Sequence, residues 1–144
     1  MGTCGFKSRF RARKSANQTV AGPTTDLIIF DVEEYDGLGE FNPSTYRFTC
    51  KRSGYYDIKA CVKIEAPNGT GSTGIEIQKN GVLAAHKHVN TSVANVVHSV
   101  DVSDNIKLTA GDYLEIYLTV LNAVSKTITG GTTYDSYFSA QRQS

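Results

Sequence analysis

The chain has no tryptophan, one methionine, three prolines and three cysteines in 144 residues. Cys4, Cys50 and Cys61 are few and odd in number, which excludes a disulfide framework as the basis of the fold. Cys50 ends one expected strand and Cys61 lies in the next, so the two could approach; free thiols packed as small hydrophobes is the favoured reading. No apolar run nears the ~20 residues that carry a helix across a bilayer, so no membrane insertion is expected. The opening residues Met1-Gly2-Thr3-Cys4-Gly5-Phe6-Lys7 hold no apolar leader. They imply either a processed or cloned piece or a chain made without Sec export. Neither sign of charge dominates: the net charge is +1, too small to draw the molecule as a whole onto nucleic acid. A helical period is missing throughout. So are a nucleophile elbow and a zinc-protease helix. The run Gly69 to Gly74 lacks the lysine of a phosphate loop and opens no helix, so it reads as a flexible tip. Nothing points to an enzyme.

What is abundant favours pleated sheet. There are eight tyrosines and six phenylalanines, with many threonines, valines and isoleucines. From Phe6 to Arg13 the chain alternates: Phe6, Ser8, Phe10 and Ala12 point one way, Lys7, Arg9, Arg11 and Arg13 the other. Residues 15–25, with Gly22-Pro23, read as loop. Leu27 to Phe30 is a short buried strand. Gly37, Gly39 and Asn42-Pro43 mark a second loop. Tyr46 to Cys50 is a strand that ends in a turn over Arg52-Ser53-Gly54. Tyr56 to Glu65 carries Tyr56, Ile58, Ala60, Val62 and Ile64 on one face. After a Gly/Thr/Ser loop from Pro67 to Gly74, Ile75–Lys79, Asn80-Gly81 and Val82–Ala85 spell a hairpin. Val93 to Val102 is a further strand. Gly111-Asp112 turns the chain into Tyr113–Leu121, with Leu114, Ile116, Leu118 and Val120 inward. Thr133 to Gln141 is the last strand. About nine or ten short strands without helices argue for one antiparallel sandwich or barrel spanning residues 1–144. Residues 1–14 form a basic N-terminal strand or docking segment.

Several of these segments, in order, resemble the globular head of complement component 1q, a jelly-roll sandwich related to tumour necrosis factor. They are Phe10-Arg11-Ala12, Ile28-Ile29-Phe30-Asp31, Phe48-Thr49 with Gly54-Tyr55-Tyr56, Leu108-Thr109-Ala110-Gly111-Asp112, and Phe138-Ser139. The chain departs from the pattern in Ala140, where glycine is usual, in carrying tyrosine rather than Val-Trp in strand 113–121, and in lacking a Gly-x-y stalk. The resemblance implies an all-β antiparallel jelly roll of about ten strands, acting as a homotrimeric binding module. Tyr113, Tyr117 and Leu121 share the outward face of their strand and are the expected subunit contacts.

The polar clusters are each weighed against a plain solvated surface. His86 and His88 share a strand face, with His98 on the neighbouring expected strand; around a trimer axis such imidazoles could hold a metal ion. A solvated face is the favoured reading, because no carboxylate or cysteine stands at ligand spacing. Asp31, Glu33, Glu34, Asp36 and Glu40 form an acidic loop whose spacing does not match a calcium loop. No cofactor is therefore expected. Lys7, Arg9, Arg11, Arg13 and Lys14 form a basic row suited to docking on a particle or an anion, or to protecting an edge strand. Without aromatics on that face, nucleic acid is not an expected partner. Asn17, Asn68 and Asn90 each begin an Asn-x-Ser/Thr triplet, meaningful only in a glycosylating host. Loops 36–44, 66–74 and 122–132, with Asp36, Asn68, Thr70 and Ser72, are the expected ligand contacts.

The sequence reading is thus a non-enzymatic trimeric head of a phage or viral particle, exposed on the virion or outside cells. It would decorate the particle or attach it to a host surface, with other virion proteins and cell-surface glycan as partners. A secreted complement-type recognition or signalling head is the alternative. A carbohydrate-active enzyme on a jelly-roll frame ranks third and requires paired carboxylates within about 10 Å in a groove.

Overall fold

Alternation of apolar and polar residues decides the principal strands, and two of them frame the molecule. A computed structural model describes residues 7–66 and 68–143; Cys4, Phe6 and Pro67 lie outside these. Strand β1 (Arg9–Arg13) buries Phe10 and Ala12. After β2 (Gln18–Ala21), β3 (Thr24–Leu27), β4 (Val32–Asp36), β5 (Phe41–Asn42) and β6 (Arg47–Thr49) comes the long β7 (Gly54–Glu65). It buries Tyr56, Ile58, Ala60, Val62 and Ile64, the face that its two-residue period marks. There follow β8 (Gly71–Lys79), β9 (Val82–Thr91), β10 (His98–Leu108), β11 (Tyr113–Val120), β12 (Ser125–Ile128) and β13 (Tyr137–Arg142).

These thirteen strands form two antiparallel sheets. One runs β2-β12-β7-β13-β1-β4, with β10 also on β7; the other runs β5-β6-β11-β8-β9, with β3 on β11. Among the described residues there is no helix, and none long and apolar enough to cross a membrane. The inner faces enclose one core. At one end Phe10 lies stacked between Phe41 (4.9 Å) and Phe48 (4.7 Å), with Phe138 edge-on at 4.8 Å. Offset and edge-to-face packing of this kind adds to the burial energy of the rings. The β8–β9 hairpin turns where Asn80-Gly81 predicts it: both residues adopt left-handed φ, 52° and 80°, as a primed turn requires.

Several expectations are corrected. β1 is not an edge strand, since β13 and β4 flank it on either side. Loop 15–25 contains β2, the acidic loop contains β4, and loop 122–132 contains β12. Gly71 to Gly74 belong to β8, and the strand expected from Val93 starts only at His98. Ile28 and Phe30 are buried as expected, but strand β3 ends before them, at Leu27. Cys50 and Cys61 are both free; the Cys50 thiol is buried and donates to the Thr109 carbonyl, whereas Cys61 lies on the outer face of β7.

Lys14 leaves the expected basic row altogether. It is buried, and its ammonium donates to Gln18 Oε1 (2.7 Å) and the Ile29 carbonyl (2.8 Å). Loss of solvent pushes its pKa down to about 8, against the opposing pull of the Asp31 carboxylate. Because the unfolded lysine binds its proton more tightly, this side chain weakens the fold below pH 8 and the penalty fades as pH rises towards 10.5. The stability of the native chain minus that of Lys14→Met, from urea melts at pH 7 to 10.5, is expected to rise across that window. A flat difference would refute the burial argument.

Candidate functional site

The surfaces that can meet a partner are the two outer sheet faces and the open edge of the sandwich. On the β1 sheet, Arg9, Arg11 and Arg13 do share the outer face, but they are not a bare basic row. Arg11 pairs with Glu34 at 3.0 Å, donates to the Thr133 carbonyl and lies 4.1 Å over the Tyr137 ring. Arg9 stands 5.4 Å from the Tyr35 ring. Sequence spacing places no aromatic on this face of β1; the neighbouring strands β4 and β13 supply them. Arginine over tyrosine is an attractive arrangement that holds both groups in place. The acidic residues of β4 are likewise absorbed into structure. Asp36 accepts the Glu40 and Phe41 amides (2.9 and 2.7 Å) and so closes the loop rather than facing a ligand. Beside it Glu33 is pushed up from the usual carboxylate range by partial burial and by Asp36.

On the opposite sheet Tyr113 and Tyr117 point outward, as their spacing requires, yet the row is not apolar. The Arg47 guanidinium covers the Tyr113 ring at 3.7 Å and reaches Glu115 at 3.4 Å. Tyr117 donates to Glu115, and Thr119 donates to Glu76. Glu115 and Thr119 are buried within this network, so their own chain already covers much of the β11 outer face. Leu121, just past the strand, remains exposed. His86 and His88 stand in contact on exposed β9, 4.9 Å between ring centroids. His98 does not join them: it lies in the other sheet, with Nδ1 beside the Val96 carbonyl. Among the described residues no three His, Cys, Asp or Glu side chains come together as a metal site.

Of the four expected ligand contacts, Asn68 is withdrawn. It is 4% exposed. Its amide donates to the Glu65 and Val96 carbonyls, and its Oδ1 lies 3.4 Å from the ammonium of buried Lys126. That ammonium also meets the Gly69 carbonyl and Thr91 Oγ1, and burial lowers its pKa. The cluster pins loop 68–70 to the end of β9 and rules out Asn68 as a surface glycosylation point in the fold. Thr70 stays exposed, while Ser72 is half-buried in β8 with its amide held by Asn122.

Large apolar side chains are exposed in several places. Val93, Val96 and Val97 lie in the loop that joins β9 to β10, whereas Val82 and Leu83 sit beside the Asn80-Gly81 turn at the opposite end of β9. The three loop valines, close in sequence, form a candidate association surface.

This architecture defines a class of protein: an all-β jelly-roll sandwich of two antiparallel sheets. Residues 10–140 match the C1q domain family, and the chain belongs to it. Solved structures agree on the fold. The tumour necrosis factor Eiger of S. frugiperda superposes with a TM-score of 0.73 at 10% identity, over 96% of this chain and 94% of that one. The globular domain of zebrafish complement 1qA gives a TM-score of 0.67 at 17% identity, over 95% of this chain and all of the other, 100%. No curated protein matches the sequence.

Proposed function

We propose that the chain is a non-enzymatic, homotrimeric recognition head, carried on the surface of a viral particle, that attaches the particle to a host surface or decorates it. Membership of the C1q domain family is the observation that carries the binding-module reading. The exposed valine loop supports self-association, because Val93 and Val97 lie between β9 and β10 and are 62% and 52% exposed. This loop is proposed as a subunit contact beside Tyr113, Tyr117 and Leu121. The free thiols of Cys50 and Cys61 fit a particle-borne setting. Thiols persist in the reducing interior of a cell, where a particle component folds and assembles, whereas secreted domains of this size often carry disulfides.

Light scattering coupled to size exclusion is expected to give three times the chain mass of 15.6 kDa. The double substitution Val93→Asp, Val97→Asp is expected to shift the molecule to monomer while leaving its circular dichroism unchanged. A monomeric native chain would overturn the trimeric reading. Unchanged mass in the double variant would move the contact to another face.

A further inference from the structure

At the end of the sandwich where β1 begins and β13 finishes, a cavity of about 570 Å³ is lined by Lys7, Arg52, Arg142, Ser8, Gln143 and Asp57. Three cations face one carboxylate there. Among the described residues none of Lys7, Arg52 and Arg142 is in an ion pair. Asp57 is already engaged by the side-chain amides of Asn105 (2.9 Å) and Gln143 (3.2 Å). Neutral amides leave the charge of Asp57 in place, but three cations against one carboxylate keep an excess of positive charge, so the cavity favours an anion.

The backbone holds these cations in position. Arg142 donates from Nε to the Ser53 carbonyl at 2.9 Å, and its backbone amide donates to the Ser8 carbonyl at 2.9 Å. Its guanidinium lies so close to Gly54 that a Cβ there would stand 2.7 Å from Nε. The Arg52 carbonyl accepts the Tyr56 hydroxyl at 2.6 Å, which fixes the turn that carries the Arg52 side chain. A guanidinium with its fork free and its stem held is suited to a carboxylate or sulfate.

The basic cavity does not stand alone. A second cavity of about 480 Å³ adjoins it and shares Asp57 and Gln141. It offers Ser103, Asn105 and Ser139 as hydrogen-bonding groups, with Lys59 and Asp104 also in its lining, and Tyr35, 47% exposed, as a flat aromatic wall. A basic pocket running into a trough of hydroxyl and amide groups beside an aromatic ring is complementary to a sugar chain with an acidic substituent. We infer that the two cavities form one groove that binds an acidic oligosaccharide. Its sulfate or carboxylate lies between Lys7, Arg52 and Arg142, and a neighbouring sugar ring lies against Tyr35. The biological role, not the binding itself, rests on the recognition-head reading.

The test is calorimetric titration of the full chain with a sulfated hexasaccharide, a neutral hexasaccharide and sodium sulfate. The sulfated sugar is expected to bind at least about tenfold more tightly than either of the others, and less tightly as salt is raised. Arg52→Glu and Lys7→Glu, both at exposed positions, are each expected to weaken it about tenfold, whereas Lys87→Glu on distant β9 leaves it unchanged. Tyr35→Ala is expected to weaken the sugar but not sodium sulfate. Melting temperatures confirm that each variant folds. Equal binding of sulfated and neutral sugars, no binding of either, or no effect of the two charge reversals overturns the proposal. So does sodium sulfate binding as tightly as the hexasaccharide. Light scattering on the same samples separates the two readings: a trimer that binds no acidic sugar removes the groove alone, and a monomer that binds it removes the trimeric head alone.

Discussion

Replacing Phe10 by alanine is expected to destabilise the chain by about 4 kcal/mol, the largest effect of any single core substitution here. Phe10 is fully buried, and three other rings touch it: Phe41 and Phe48 from one sheet and Phe138 from its own. Truncation removes the transfer energy of the ring and opens a void that rigid neighbours from two sheets cannot all collapse into. It also removes the stacked and edge-on contacts, each on the order of 1 kcal/mol beyond burial. Against a total stability of roughly 5–15 kcal/mol for a domain of this size, the loss takes a large share. The expected reading is a fall of about 10 °C or more in melting temperature, with the urea slope unchanged. Tyr134→Ala, at a residue 73% exposed, is expected to change stability by less than about 0.5 kcal/mol. A loss below about 1.5 kcal/mol for Phe10→Ala would mean that the core end relaxes freely, and that the four rings do not lock the sheets together.

Where a strand obeys the two-residue period, its inward set can be read from sequence, as in β7 and β11, and the Asn80-Gly81 turn follows from backbone sterics alone. The missed strands share a different cause. β12 (Ser125–Ile128) places Lys126 in the inward phase beside a single apolar residue, Ile128, so it shows no apolar alternation. The ammonium is tolerated because Asn68, Gly69 and Thr91 surround it, and those partners lie 58, 57 and 35 residues away in sequence. Lys14 hides the end of the β1 pattern in the same way, through Ile29. The acidic β4 reads as loop because its apolar support comes from β1 beside it, not from its own residues. The basic groove is the strongest case. Lys7, Arg52 and Arg142 carry no mutual signal in sequence. They become neighbours only because β13 lies between β1 and β7, in the register that sets Phe10 opposite Ala140 and Ala140 opposite Ile58.

Glu40→Ala is expected to cost about 3 kcal/mol and to weaken the proposed acidic-sugar site at the same time. Glu40 is 4% exposed. Its carboxylate accepts the Ser8 hydroxyl on both oxygens (2.8 and 2.9 Å) and the Lys51 amide at 2.8 Å. Ser8 Oγ lies 2.7 Å from the Tyr56 hydroxyl, which in turn donates to the Arg52 carbonyl. One buried carboxylate therefore ties the chain beside Lys7 to the turn beside Arg52. Alanine leaves the Lys51 amide without its acceptor and the Ser8 hydroxyl with Tyr56 Oη alone, and an unsatisfied buried donor costs about 1–3 kcal/mol. Glutamine keeps an acceptor oxygen in place and is expected to restore more than half of the lost stability, measured by urea denaturation. In the folded fraction the alanine variant is expected to bind the sulfated hexasaccharide several-fold more weakly, roughly between the native chain and Arg52→Glu. Glutamine should bind as the native chain does. If Glu40→Ala loses stability but binds normally, the cations do not depend on this network for their placement, and the Ser53 and Ser8 carbonyls that hold Arg142 are sufficient to organise the site.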